Sequence, residues 1–593
     1  MMLQLFKFKG GVKPASHKQE SANSPIRQAP LPARLIVPLR LSSRATAEAI
    51  VAVGDTVDKG QRIARAEGLM ATGIHAPTSG RVVAIEDTPF PHPSGLAARG
   101  IVIEPDGEER WGERTPFDAD GAEPQALRDH LREAGIVGLG GAGFPSHVKL
   151  SPGEARIETL ILNGAECEPW ITCDDRLMRE RADAIIAGAK VMRRAVGAQR
   201  IIVGIEDNKP EAVAAMQAAA RAAALPGEAE LSVVAVPTRY PAGGEKQLIR
   251  VLTGIEIPFG KLGFQYGVQC FNVGTAYAVH RAVAFGEPLI SRVVTLTGNV
   301  GEAGNWEVPI GMPIRDFIAL GAPRADTDRF LMGGPMMGFS LPSLDAPLIK
   351  TSNCIIAGSR QLFPPPAPEM PCIRCGECAK ACPIELQPFE LYWHTRAKTF
   401  GKTQEYHIFD CIECGCCSFV CPSHIPLVQY FRFAKSEIWA REKEKNAADQ
   451  AKARFEWKTA RDEREKAEKA EKLAKAAAAQ AAKKAAEAAA AATSPPAEAG
   501  DDAAPAAAPA AAPEPTVTDA SAPLAVDAEA AKKAAIAAAL ARARAQREAV
   551  VPKNTEQLTP AQQKEIADID ALRQQAGIES APAASPAAEE PKS

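Results

Sequence analysis

The hydrophobic and polar pattern changes several times along these 593 residues. From 31 to 105, short Val/Ile-rich stretches alternate with turn residues, as in a small β-barrel. From 111 to 290, apolar runs such as "TLILNGA" and "RIIVGIED" alternate with helical stretches such as "LMRERADAIIAGAKVMRRAV" and "KPEAVAAMQAAARAAA". That succession predicts an α/β domain. Residues 291–350 return to a β-like pattern, with "SRVVTLTGNV" and the glycine-rich "LMGGPMMG". Near 436 the chain becomes almost all helix former. The apolar positions there are mostly Ala, which buries little, so 436–492 reads as a long solvated helix. From 493 onward Pro and Ala dominate and no core can form. "DAEAAKKAAIAAALARARAQREA" is one further helical stretch in that tail.

The length calls for several domains. A net charge of −3 gives no reason to expect nucleic acid as a partner. The start, "MMLQLFKFKGGVKP", is too short in apolar residues for a signal-peptide core. No run of about 18 apolar residues occurs, so no transmembrane helix is expected. The Ala-rich tract near 474–492 is interrupted by Lys483, Lys484 and Glu487. Thirteen cysteines without a secretion signal point to thiolate ligands in a reducing compartment.

Eight of those cysteines fall into two identical spacings. Cys372, Cys375, Cys378 and Cys382 precede Pro383; Cys411, Cys414, Cys417 and Cys421 precede Pro422. Four-cysteine zinc sites usually come as two separated C-x-x-C pairs. C-x2-C-x2-C-x3-C-P instead puts three soft ligands on one tight turn, which suits three corners of a [4Fe–4S] cubane. In two-cluster bacterial ferredoxins the fourth cysteine ligates the other cluster. The expected sets are therefore Cys372, Cys375, Cys378 and Cys421 for one cluster, and Cys411, Cys414, Cys417 and Cys382 for the second. Cys416 is off the pattern and reads as a non-ligand. Cys167, Cys173, Cys270 and Cys354 read as packed small hydrophobes.

"GIVGLGGAGFPSHVKL" sets Gly138, Gly140 and Gly143 in G-x-G-x-x-G spacing. A Rossmann fingerprint opens a long helix. Here Phe144-Pro145 follows at once, and Ser151-Pro152 limits any helix to a couple of turns. The Rossmann reading fails, yet bare backbone N–H groups in such a loop can still cradle an anion. A purely structural glycine turn is the alternative.

"VAVGDTVDKGQRIA" followed by "HAPTSGRV" resembles the biotinyl/lipoyl-type barrel-sandwich fold. The hairpin that bears the carrier lysine in that family reads "EGLMATGIHAP" here, with no lysine, so the fold is expected without the swinging arm. "GLGGAGFPSHVKL", "LNGAECEPWITCDDRLM", "YPAGGEKQLIRVLTG" and "CFNVGTAYAV" resemble, in order, the flavin- and NADH-binding subunit of respiratory complex I and its relatives. With the barrel in front and the doubled cluster motif behind, the chain from 1 to about 435 resembles the RnfC family of Rnf-type (Rsx) electron transport complexes. Complex I's subunit has a single cluster at this end, so two ferredoxin motifs set this chain apart from it.

The resemblance implies a multidomain α/β and α+β architecture: an N-terminal segment (1–30), a barrel-sandwich β domain (31–110), an FMN/NADH-binding α/β domain (111–290), a β-grasp-like (SLBB) domain (291–350), a two-cluster ferredoxin-type domain (360–435), a charged helix (436–492) and a low-complexity, disordered or helical tail (493–593). It also implies site residues. Gly138, Gly140, Gly141 and Gly143 resemble the loop lying against FMN and NADH, with Lys149 beside it. Asn163, Glu166 and Glu168 resemble the polar stretch that meets flavin and ribose, although Glu166, Glu168, Asp174 and Asp175 also fit a plain solvated turn. Gly244 and Glu245 resemble the second glycine–acid turn, and Asn272 and Thr275 the pair flanking FMN. Lys246 fits a surface lysine equally well.

The implied cofactors are two [4Fe–4S] clusters and non-covalent FMN, with NAD(H) as substrate and no catalytic side chain. A flavin belongs between a two-electron donor and one-electron clusters. The implied enzyme is a translocase-type NADH/ferredoxin oxidoreductase subunit, peripheral on the cytoplasmic face of a bacterial inner membrane. Its implied partners are other membrane and peripheral subunits and, indirectly, a ferredoxin-type protein. A soluble diaphorase or dehydrogenase subunit and a polyferredoxin-like carrier without nucleotide binding are the competing readings.

Overall fold

The computed structural model describes residues 4–42, 45–224 and 230–491. Residues 4–471 belong to one compact unit; in a second unit beginning at Lys472, 472–491 are described. The expected tail from 493, with its further helical stretch, lies outside the described residues.

The first domain is two four-stranded antiparallel sheets. One orders Leu35–Pro38, Ala97–Pro105, Gly80–Pro89 and Thr56–Val57; the other orders Arg40–Ser42, Ala45–Ala49, Arg62–Ala66 and Ile74–His75. Val37, Val57, Ile63, Ile74, Val82 and Ile101 fill the space between them. The lysine-free hairpin is docked on the next domain. Arg132 Nη2 donates to the Gly68 carbonyl at 2.8 Å, and His147 Nε2 to the Leu69 carbonyl at 2.9 Å.

The α/β domain holds four parallel strands in the order Glu230–Val236, Arg200–Glu206, Thr159–Gly164, Val268–Asn272. Successive residues point to opposite faces, and both faces are covered. Leu160, Leu162, Ile201 and Val203 pack with the helices Ala182–Val196 and Val273–Phe285. Ile161, Ile202, Val268 and Cys270 pack with the helix Glu245–Thr253 and with Phe8. Helices Ala182–Val196 and Val273–Phe285 approach so closely that a Cβ at Gly188 would lie 1.8 Å from the Ala276 carbonyl oxygen.

A six-stranded mixed sheet follows, ordered Arg27–Gln28, Gly304–Pro309, Ser291–Gly298, Cys354–Ser359, Thr327–Met332, Phe339–Ser340. It draws in residues on both sides of the 291–350 stretch. Ile314, Phe317 and Ile318 of the helix Ile314–Ala319 pack on it with Leu296, Trp306 and Ile355.

The cysteine-rich domain is an internal repeat with a constant offset of 39 residues, as Cys372 and Cys411 show. Short helices Glu377–Ala381 and Cys416–Phe419 match, as do Pro388–Arg396 and the start of Leu427–Ala491. So do the left-handed residues Arg374 and Glu413 (φ 55° and 57°) and Gly376 and Gly415 (φ 78° and 82°). The charged helix thus begins inside the repeat, earlier than 436. Phe431, Ala434 and Ile438 bury its first turns in the domain core, and beyond that core its surface is almost wholly exposed.

Candidate functional site

Parallel sheets place ligands outside the carboxyl ends of their strands, where the strand order reverses. Here the chain runs from the strand Thr159–Gly164 to one neighbour and later returns to the other side with Val268–Asn272, so the reversal lies between these two strands. Asn163 and Asn272 stand opposite each other at that point.

The glycine loop meets this edge. Gly138 N–H donates to the Phe144 carbonyl at 2.8 Å and closes the loop, leaving Gly140, Gly141 and Ala142 exposed. Gly141 and Gly143 have φ of 104° and 63°, in the left-handed region that favours glycine. The helix after the loop is only Ser146–Lys149, as Ser151-Pro152 predicts. The loop is pinned to a second helix: Leu139 N–H donates to Thr275 Oγ1 at 3.0 Å. Asn272 caps that helix, Val273–Phe285, by accepting Gly274 N–H at 2.8 Å, and its amide donates to Asp174 at 2.6 Å. The positive end of a 13-residue helix therefore faces the loop. Bare backbone and a helix N-terminus together suit a phosphate-bearing ligand.

The other implied residues surround the same edge. Lys149 Nζ pairs with Glu245 Oε2 at 2.8 Å, and Gly244 caps the helix Glu245–Thr253. Asn163 Nδ2 donates to the Gly243 carbonyl at 2.8 Å, linking the acidic stretch to the second glycine turn. Glu166 and Glu168 are half-buried and engaged. Glu166 accepts the N–H groups of Asp174 and Asp175 at 2.8 and 3.3 Å, capping the helix Cys173–Glu180. Glu168 accepts the Met336 and Met337 N–H groups at 2.7 and 3.0 Å. Burial raises the Glu168 carboxyl above its ordinary range, against those two donors. Burial and then Glu166 push Asp174 up to about 7. These acids do not form a plain solvated turn: Asp175 is buried in a bidentate pair with Arg179. Lys246 donates to the Pro258 carbonyl at 3.0 Å, away from the loop.

Several residues here carry no sequence signal. Lys18 Nζ donates to the carbonyls of Glu166, Glu168 and Ile171 at 2.8, 2.8 and 2.5 Å. Lys209 and Glu206 form an ion pair at 2.7 Å, each about 1% exposed. Burial lowers the Lys209 ammonium's pKa, but Glu206 and then Glu166 outweigh it and the net shift is upward. Removing one partner of a buried pair leaves an uncompensated charge. Lys209→Met is expected to destabilise the fold by about 3–5 kcal/mol. An unfolding transition at unchanged denaturant concentration would contradict this.

The cysteines come together across the two motifs. Cys372, Cys375, Cys378 and Cys421 line one cavity, with Phe389 and Ile425 on its walls. Cys382 lies with the other motif: burial and the charge of Cys414 raise its thiol, while burial and then Cys411, Cys414, Cys382 and Cys378 raise that of Cys417. Both groupings follow the crossed pattern and have the soft donors an iron–sulfur cubane takes. Cys416 is fully buried against Cys414, Ala381, Tyr240 and Val12. Glu413 is held by Arg432 and Lys435 of the long helix at 3.0 and 2.8 Å, so that helix braces the second motif. Of the four scattered cysteines, Cys173, Cys270 and Cys354 are buried, while Cys167 is half-buried and accepts Gly243 N–H at 3.2 Å.

Comparison with known proteins gives four domain matches in the order of the fold. These are an RnfC barrel sandwich hybrid domain over 6–108, a Nuo51 FMN-binding domain over 131–281, an SLBB domain over 293–340 and a 4Fe-4S dicluster domain over 371–425. Among curated proteins, the C component of an ion-translocating oxidoreductase complex from Haemophilus influenzae (strain PittEE) is 43% identical over 464 residues, covering 78% of this chain and 70% of the relative. The chain belongs to this RnfC family. Another member, from Yersinia pestis bv. Antiqua (strain Antiqua), is 46% identical over 77% of this chain and 73% of its own length. The Pectobacterium carotovorum subsp. carotovorum (strain PC1) member is 46% identical over 78% of this chain, which spans 61% of that relative. Like its family, the chain is built for FMN and [4Fe–4S] clusters, and its fold is the multidomain one implied by the sequence.

Proposed function

We propose that this RnfC-family chain is the peripheral NADH-side subunit of a membrane-bound, ion-translocating complex, and that electrons pass through it between NAD(H) and a ferredoxin-type protein. The observation that carries this reading is the short segment 240–244. Tyr240 Oη donates to the Cys414 carbonyl at 2.6 Å, and the Gly243 carbonyl accepts Asn163 Nδ2 at 2.8 Å. One turn of chain therefore touches both the flavin-side acidic stretch and the backbone of a cluster cysteine.

When bound, FMN exchanges two electrons as a hydride with nicotinamide and single electrons with iron–sulfur clusters. The chain's own residues hold and orient. Gly138, Gly140, Gly141 and Gly143 cradle the phosphate-bearing ligand with the helix Val273–Phe285 behind them. Lys149, Glu245, Asn163, Glu166, Glu168 and Gly244 border it, and Asn272 and Thr275 fix the loop's position. Cys411, Cys414, Cys417 and Cys382 hold the cluster nearer the flavin side. Cys372, Cys375, Cys378 and Cys421 hold the farther one, where Cys375 and Ile373 are exposed to a protein partner. No helix among the described residues is long and apolar enough to cross a membrane; in this reading the chain attaches through membrane subunits, on the cytoplasmic face.

Cofactor analysis of one anaerobic preparation tests this. Two cubanes require roughly eight irons and eight sulfides per chain, with stoichiometric FMN. Stoichiometric zinc without labile sulfide would sink the reading. Removal of 493–593 is expected to leave NADH-driven cluster reduction unchanged, since Pro- and Ala-rich sequence builds no core. A truncated chain that keeps its cofactors but loses that reduction would contradict this.

A further inference from the structure

Residues 6–21 run along both halves of the proposed electron path. Phe6 N–H donates to the Val251 carbonyl at 2.9 Å, and Phe8 is buried in the core beneath the parallel sheet. The chain then turns through two left-handed glycines, Gly10 and Gly11, with φ of 65° and 78°. Gly11 N–H donates to the Ala381 carbonyl at 2.9 Å. A Cβ on Gly10 would lie 2.3 Å from the carbonyl oxygen of Cys382. Val12 next forms a two-bond antiparallel bridge with Tyr240, at 2.8 and 3.0 Å.

Only a few residues later the same chain reaches the acidic stretch. Trp170 N–H donates to the Ser16 carbonyl at 2.8 Å, and the His17 ring stacks on Trp170 at 4.2 Å between centroids, 5° from parallel. Trp170 sits at φ 72°, a backbone state costly for a bulky residue, so the surrounding contacts must hold it there. Lys18, half-buried, directs its three N–H groups to the carbonyls of Glu166, Glu168 and Ile171. Ser21 then joins Thr172 at 2.8 Å.

We propose that residues 6–18 are a strap that sets the separation and orientation between the flavin-side acidic stretch and the cluster bearing Cys382, with Gly10 as its positioning residue on the cluster side. The strap rests on the functional reading above for what passes across that gap. Its contacts suit this task. It grips the Ala381–Cys382 backbone at one end and the Glu166–Ile171 backbone at the other, and bridges Tyr240 between them. Its grip is largely on main chain, so the spacing is fixed by backbone hydrogen bonds. The sequence requirement falls on the two glycines, where any side chain would push the strap off Cys382 or off Tyr240.

The test uses the full holo chain and its Gly10→Ala variant. NADH-driven reduction of a flavin-level dye and NADH-driven bleaching of the clusters are timed on the same sample. The cluster potentials are then titrated by EPR with dithionite. The expected result is dye reduction within a factor of about two of wild type, with cluster bleaching slower by about tenfold or more, as misplaced reacting partners give. The potential of the Cys382-bearing cluster should shift while that of the Cys372, Cys375, Cys378, Cys421 cluster stays. An unchanged ratio of the two rates overturns the strap. If NADH bleaches no cluster even in the wild type, the functional reading falls instead. The titration then decides: a shift confined to the Cys382-bearing cluster supports the strap, and no shift overturns it. Should Gly10→Ala fail to load iron, Gly11→Ala takes its place. Its Cβ would meet the Tyr240 carbonyl at 2.6 Å, with Arg239 and Phe8 as its next nearest neighbours.

Discussion

Gly143→Val is expected to abolish NADH oxidation while leaving both clusters intact. Gly143 has φ 63°, and an added Cβ would lie 2.7 Å from Thr351 Cγ2. An L-residue in the left-handed region costs about 1–2 kcal/mol, and a β-branched one more. The loop must leave this conformation or displace Thr351, and either moves the exposed Gly140–Ala142 backbone away from the helix it faces. About 1.4 kcal/mol of misfit is a tenfold loss of affinity, so the variant should lose most of its FMN on purification. Dithionite should still reduce both clusters, because the cysteine-rich repeat has its own core of Leu391, Tyr392, Ile408 and Phe431. Normal FMN content together with wild-type NADH-driven cluster reduction would make the loop structural. The polyferredoxin-like carrier would then be the better reading.

Cys382→Ala is expected to remove the cluster of the opposite motif. Cys382 follows Cys378 in sequence, yet Cys414 of the second motif raises its thiol along with burial, while Cys421 joins Cys372, Cys375 and Cys378 around one cavity. The variant should lose about half its iron. The remaining EPR signal should belong to the Cys372, Cys375, Cys378, Cys421 cluster. Loss of that signal, with the second motif's cluster retained, would show that each motif holds its own fourth ligand. With the nearer cluster gone, NADH should still reduce a flavin-level dye but should fail to reduce the farther cluster.

Much of this was legible because the signals are local. The Cys-x2-Cys-x2-Cys-x3-Cys-Pro spacing constrains one turn of chain, and the expectation that the fourth ligands are exchanged follows from doubling it. The short helix after Gly143 was readable because Pro145 and Pro152 limit it from both sides. Other features were not legible. The long helix begins at Leu427 because the 39-residue repeat uses it as its last helix, and composition alone shows only where the solvated part starts. The six-stranded sheet recruits Arg27–Gln28 and Cys354–Ser359, pairings set by tertiary contact with strands 279 and 59 residues away in the chain. Lys18 sits in "SHKQESANSP", where nothing separates a lysine with three carbonyl acceptors from a solvated one. The same holds for Lys209, whose partner Glu206 ends a strand that looks ordinary. The acidic run 166–175 also fits a plain solvated turn in sequence, for a related reason. The groups that engage it, Lys18 and the Met336 and Met337 backbone, come from other domains.

The central claim is that electrons from NADH reach the clusters through the flavin held at the glycine loop. The direct measurement is anaerobic stopped-flow absorbance and freeze-quench EPR of the full chain after mixing with NADH, run with FMN bound and again after FMN removal. The account predicts that NADH reduces the clusters of the FMN-loaded chain, that the flavin-free chain is reduced only by dithionite, and that adding FMN back restores the NADH reaction. Clusters that stay oxidised with NADH although FMN is bound, or that are reduced equally well without it, would contradict the account.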